Sequence, residues 1–277
     1  MRSAIALVFA FGLAACTNHF FQPDRIKFLD PVEFGLEFRE LRLQTADGVL
    51  LSSWYFPARG TARATVLFLH GNAENVSTHF SSIAWMPAEG INVLALEYRG
   101  YGASEGRPSL AGVQLDIDAA MQALLSRPDV DARRIVLFGQ SLGGALAIHY
   151  AARGAYRVHL RALVTDSAFS DYRDIVREKL AGFFLTWPLQ WLPVLTVDND
   201  YSPAASIGLL SPLPVVLIHG ERDRIVPVHH ARRLFELARE PKELWLEPEA
   251  FHIRALRSAE LRQRLAEFLR RVTSGSE

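Results

Sequence analysis

Short, nearly continuous apolar runs recur along this chain at 65–69, 92–96, 135–138, 162–165 and 215–218, with segments of helical length between most of them. Such a run is a strand covered on both faces, and a strand, helix, strand rhythm makes the strands parallel. The expected core is a mostly parallel twisted sheet with helices on both faces. Ahead of it, 38–45 and 49–56 alternate around Ala46-Asp47-Gly48 and read as two antiparallel strands joined by a tight turn. A last strand is expected at 242–246 and a closing helix over 253–272.

At 277 residues, 49% of them hydrophobic, the chain can bury one large core. Thirty basic residues balance thirty acidic ones, which speaks against a nucleic-acid partner or a polyanionic substrate. The single cysteine, Cys16, excludes an internal disulfide and any cysteine-based metal cluster, and no His-Glu-x-x-His spacing occurs. No metal and no cofactor is expected.

The most telling local pattern is Gly139-Gln140-Ser141-Leu142-Gly143, set between the apolar run 135–138 and the small residues Gly144-Ala145-Leu146-Ala147. It reads as a strand, a very sharp turn and a helix, with Ser141 lifted onto the turn as a nucleophile. The glycines on either side let strand and helix cross closely. A serine hydroxyl is a poor nucleophile until an imidazole takes its proton, and the imidazole needs a carboxylate to orient it.

On such an elbow the partners follow in the order acid, then histidine. Asp223 stands just past the run 215–218 and His252 lies in the loop after the last strand, both at strand C-terminal ends, where open α/β sheets place their ligands. Asp166, at the end of another strand, is the rival acid. His229 and His230 open a helix that looks solvated, and His70 and His219 suit hydrogen bonds to loop backbone better than catalysis. The oxyanion formed on attack needs donors, expected from the backbone N–H of Leu142 and of Asn72 in the loop His70-Gly71-Asn72-Ala73-Glu74-Asn75.

Four ordered motifs carry a family resemblance: His70-Gly71-Asn72-Ala73, Tyr98-Arg99-Gly100-Tyr101-Gly102-Ala103-Ser104-Glu105-Gly106, Gly139-Gln140-Ser141-Leu142-Gly143-Gly144 and His219-Gly220-Glu221-Arg222-Asp223. Together they resemble the BEM46-like branch of the α/β-hydrolase superfamily, over nearly the whole of 36–277. The resemblance implies a serine hydrolase of carboxylic ester or thioester substrates, some relatives acting as depalmitoylases. Relatives often place glycines before the histidine, whereas Glu249-Ala250-Phe251 stand here. Two other readings stay open: a serine peptidase, although the large gating domain of oligopeptidases has no room, and a non-catalytic binding module on the same fold.

A longer excursion falls between about 167 and 213 and contains Phe183, Phe184, Trp187 and Trp191. It is either a short cap over the site, suited to lipid-like acyl groups, or a helical insertion packed into the ordinary core. At the N-terminus, Arg2 precedes an apolar run over 4–15 that is too short to span a bilayer, followed by Cys16. Residues 1–15 read as a signal peptide, and Leu13-Ala14-Ala15-Cys16 resembles a bacterial lipobox. Cys16 would then be lipidated and residues 16–35 would tether the domain to a membrane. Thr17 would permit outer-membrane sorting in a Gram-negative cell. Oligomeric state has no signature in these residues.

Overall fold

The computed structural model describes residues 20–274. The expected leader and Cys16 lie outside the described residues.

Among the described residues ten strands form: β1 (Gln22–Pro23), β2 (Arg39–Gln44), β3 (Leu50–Phe56), β4 (Ala64–Leu69), β5 (Ala73–Glu74), β6 (Ile91–Leu96), β7 (Ile135–Gln140), β8 (Leu160–Asp166), β9 (Val215–Gly220) and β10 (Lys242–Glu247). Eight build one sheet in the order β10-β9-β8-β7-β4-β6-β3-β2. Of these eight, β3 alone runs opposite to the other seven. β4, β6, β7 and β9 are buried at every position, which is why they read as unbroken apolar runs.

Side chains alternate between two cores. Leu67 and Leu69 face one side with the helices α1 (Leu110–Leu125) and α2 (Leu142–Arg153). Val66 and Phe68 face the other, with the apolar residues of the closing helix. This is the α/β-hydrolase fold, with helices on both faces.

After β4 the chain fills β6 on one side and only later β7 on the other. That reversal opens a crevice between the C-terminal ends of β4 and β7, where Leu69 pairs Gly139.

Between β8 and β9 lies a cap built from α3 (Tyr172–Ala181) and short turns at Trp187–Leu189, Leu192–Thr196 and Ala204–Ile207. Phe183, Phe184, Trp187 and Trp191 are exposed, so the alternative of ordinary core packing does not hold for them. α4 (His229–Leu237) follows β9.

Two expectations differ from the structure. The closing helix, α5, spans Ala259–Ser274 instead of 253–272; Ile253 adopts φ +49° and a single 3₁₀ turn, Ala255–Arg257, intervenes. Those residues carry His252 back over the sheet edge, which a continuous helix could not do. The second difference concerns 16–35, expected as a tether. From Phe20 onward this segment lies against the domain: Phe21 is buried, β1 pairs β5, and Asn75 Nδ2 donates to the carbonyls of Asp24 and Ile26.

Candidate active site

Ser141 occupies the turn between β7 and α2 with φ 52° and ψ −115°, a conformation that costs a non-glycine residue on the order of 1–3 kcal/mol. The crowding around it explains the flanking glycines. A Cβ on Gly139 would lie 2.2 Å from the carbonyl oxygen of Gly143, and one on Gly143 would lie 2.2 Å from that of Leu69. The backbone N–H of Ser141 donates to the carbonyl of Asp166 at 2.9 Å and ties the elbow to the neighbouring strand.

His252 Nε2 stands 3.0 Å from Ser141 Oγ, and His252 Nδ1 stands 2.7 Å from Asp223 Oδ2. A carboxylate only accepts, so Nδ1 carries the proton and Nε2 presents its lone pair to the serine hydroxyl. The other oxygen, Asp223 Oδ1, accepts the N–H groups of Ile225 at 2.8 Å and Val226 at 2.9 Å. Burial pulls the Asp223 pKa up, but the imidazole and these two N–H groups outweigh it and hold the carboxyl below its usual value. The structure thus brings Ser141, His252 and Asp223 into one hydrogen-bonded row, although they are 111 and 29 residues apart.

Asn72 and Leu142 border the same cavity as Ser141 and His252. Among the described residues neither of their backbone N–H groups finds an acceptor. Asn72 is held from two sides: Tyr101 Oη donates to its carbonyl at 2.8 Å, and the N–H of Gln22 donates to its side-chain Oδ1 at 2.9 Å. The cavity measures about 800 Å³ and is walled mostly by apolar side chains, among them Phe20, Phe169, Val176, Leu180 and Ile225. Its size falls in the range of small-molecule sites.

The family model for serine aminopeptidase, S33, matches residues 60–208. The YfhR protein of Escherichia coli strain K12 is 37% identical over 242 residues, covering 86% of this chain and 80% of the relative. The chain belongs to this α/β-hydrolase family. The bem46 protein of Schizosaccharomyces pombe is also similar, 32% identical over 218 residues, with 77% of this chain and 70% of that protein covered. Among solved structures, the esterase Pf2001 of Pyrococcus furiosus superposes with a TM-score of 0.73 at 25% identity, covering 91% of this chain and 99% of that one.

The remaining candidates of this hydrolase fall elsewhere. Asp166 is fully buried beside the elbow but does not touch His252; Gln140 Nε2 donates to its Oδ2 at 3.0 Å and Ser167 Oγ to its Oδ1 at 3.1 Å. His70 Nδ1 donates to the carbonyl of Gly71 and His219 Nε2 to that of Val226, the backbone roles expected of them. His230 departs from the solvated helix face expected: it is buried, and the N–H of Ser170 donates to its Nδ1. Its Nε2 then carries the proton and donates to Glu178 of the cap.

Two supporting groups had no sequence signal of their own. Ser167 accepts the N–H of Ile253 on its Oγ, and so fixes the residue after His252. Tyr101 sits in a motif that resemblance singled out, but its bond to Asn72 depends on a fold contact 29 residues away.

Burial, only partly offset by Gln140 and Ser167, raises the Asp166 pKa from 3.8 to about 6. A carboxyl raised on folding contributes stability below its unfolded pKa and loses it as pH rises through the folded one. At pH 8 the ionised group therefore costs up to about 3 kcal/mol. Asp166→Asn removes that cost, since Gln140 can flip and accept from the new amide through its otherwise unpartnered Oε1. The stability of D166N relative to wild type is expected to rise between pH 4 and pH 8, read as the difference in Tm. An equal difference at both ends of that range would contradict the raised pKa.

Proposed function

We propose that this hydrolase cleaves carboxylic ester or thioester bonds of small, apolar acyl substrates through an acyl-enzyme intermediate. The observation that carries the reading is the Ser141, His252, Asp223 row at the wall of an apolar cavity. Ser141 Oγ attacks the acyl carbonyl carbon while His252 Nε2 takes the hydroxyl proton, and Asp223 steadies the resulting imidazolium. The backbone N–H groups of Leu142 and Asn72 receive the oxyanion, the first aided by the positive end of α2. Collapse of the tetrahedral species expels the alkoxide or thiolate, which collects the proton from His252. Water then repeats the sequence and frees the acid. No step calls on a metal or cofactor.

The esterase identity of the Pyrococcus furiosus protein supports the ester reading. The test is a panel of p-nitrophenyl acyl esters, acyl thioesters and peptide anilides on the purified chain. Ester or thioester turnover should exceed anilide turnover, with a preference for medium or long acyl chains that fill the apolar cavity. Faster anilide cleavage would replace this reading with a peptidase, and turnover that peaks at acetyl and falls steadily would overturn the acyl-length preference.

We also propose that the chain is exported, cleaved before Cys16 and lipidated there, facing the periplasm from the outer membrane if the cell is Gram-negative. The support is the charged start, the apolar run and the lipobox-like Leu13-Ala14-Ala15-Cys16. The mass of the mature N-terminal peptide tests it, since an unmodified cysteine or an intact leader would refute it.

A further inference from the structure

The tip of the cap is uncharged over a long stretch that the fold leaves in solvent. Residues 182–197 contain no Asp, Glu, Lys, Arg or His in sixteen positions. Phe184 and Trp187 keep 77% and 63% of their surface in solvent, and Phe183, Leu185, Trp191 and Leu195 are exposed with them. A contiguous apolar surface of this kind marks an interaction site.

We propose that this tip docks into the interface of a lipid bilayer, so that the active-site cavity opens toward the membrane and draws acyl substrate from it. Three observations select lipid as the occupant. First, each polar side chain of the tip donates to a nearby carbonyl: Thr186 Oγ1 to Leu180, Gln190 Nε2 to Trp187 and Thr196 Oγ1 to Leu192. A protein partner would meet a polar rim, whereas this surface offers apolar and aromatic groups, with two tryptophans of the kind that favour the headgroup boundary.

Second, both ends of the tip are anchored at the cavity. Val176, Lys179 and Leu180 precede it, Thr196 and Val197 end it, and all five line the cavity with Ser141. A bilayer on the tip therefore lies beside the cavity wall.

Third, Phe20 lines the same cavity, and its ring meets Tyr172 edge-on at 5.0 Å, at the start of the cap. Cys16 precedes Phe20 by four residues, a reach of at most about 14 Å. A lipid on Cys16 would bring the membrane to the cap side of the domain. This third argument rests on the lipidation reading above, but the first two do not.

The test is tryptophan quenching of the full chain in vesicles of phosphatidylcholine brominated on its acyl chains. Trp54 and Trp245 are buried and Trp85 is half-buried, so Trp187 and Trp191 report on the tip. Brominated vesicles are expected to lower wild-type emission about twofold relative to unbrominated ones, and to leave the W187F/W191F chain nearly unaffected. Ser141→Ala should be quenched like wild type, which separates this result from the hydrolytic reading, and the N-terminal mass separates it from the lipidation reading.

Equal emission in both vesicles would overturn the proposal, because an anchored domain would then hold its cap in water. Burial of the tip by a second copy, seen as emission that shifts with protein concentration and not with bromine, would also overturn it. So would cover by the chain's own apolar run 4–15, seen as blue-shifted tryptophans without vesicles.

Discussion

Replacing Ser141 by alanine is expected to lower kcat on ester substrates by on the order of 10⁵ to 10⁶-fold with little change in KM. The variant loses the hydroxyl proposed to form the acyl bond, while the cavity and the two N–H groups proposed to receive the oxyanion remain. What is left is water attack assisted by the oxyanion donors, still on the order of 10³ above the uncatalysed rate. His252→Ala should cost nearly as much, and the double variant no more than either single one, because the two side chains act as a unit. Asp223→Asn should cost on the order of 10⁴, since an amide facing Nδ1 favours the wrong imidazole tautomer.

Steady-state kinetics with a p-nitrophenyl ester would be paired with labelling by a fluorophosphonate probe that esterifies activated serines. Loss of both in S141A at unchanged thermal stability is the expected result. Labelling that survives in S141A would place the nucleophile elsewhere, and a well-folded wild type that neither labels nor turns over would leave a binding module.

The second large effect is on folding. In Gly143→Ala the new Cβ would lie 2.2 Å from the carbonyl oxygen of Leu69 and 2.5 Å from that of His70. Both are backbone atoms at the end of β4, a strand paired on both sides, so they cannot retreat without breaking sheet bonds. The expected loss is about 4 kcal/mol or more, enough to remove much of a typical domain's stability. Gly182→Ala makes the contrast, because at that cap position φ is −72° and the nearest atom to a new Cβ is the Glu178 carbonyl oxygen, 3.5 Å away. It should leave stability within about 0.5 kcal/mol. Urea midpoints of the two variants decide the matter, and a G143A midpoint near wild type would show that helix and strand do not cross as closely as these distances require.

Much of this architecture could be read from the residues because its causes are local. A strand buried on both faces has to be apolar throughout, so β4, β6, β7 and β9 announced themselves, each within two residues of its expected bounds. The elbow was equally plain, because the helix–strand crossing excludes a Cβ at Gly139 and Gly143 whatever the remainder of the fold does. Element ends were harder. α5 begins six residues later than its periodicity suggested, at Ala259 instead of 253, since the pull of the His252 loop on Ile253 is a tertiary force.

The two candidate carboxylates mark the boundary between these kinds of knowledge. Asp166 and Asp223 each end or follow a parallel strand, and only the resemblance carried by His219-Gly220-Glu221-Arg222-Asp223 favoured the second. In the folded molecule β8 turns the Asp166 carboxyl into Gln140 and Ser167, while the loop after β9 offers Asp223 to His252. Likewise, residues 20–35 carry prolines and charges that suit a free tether, and it is the folded domain, through the Ala73–Glu74 strand and the side chains of Asn75 and Ser77, that gives them a place to pair. Local pattern was enough for the strands, the elbow and the order of its partners, because each depends on nearest neighbours and steric exclusion. How that acid reaches the imidazole, and what lies bare at the tip of the cap, depended on strand register and on contacts between distant segments, which no window of the chain contains.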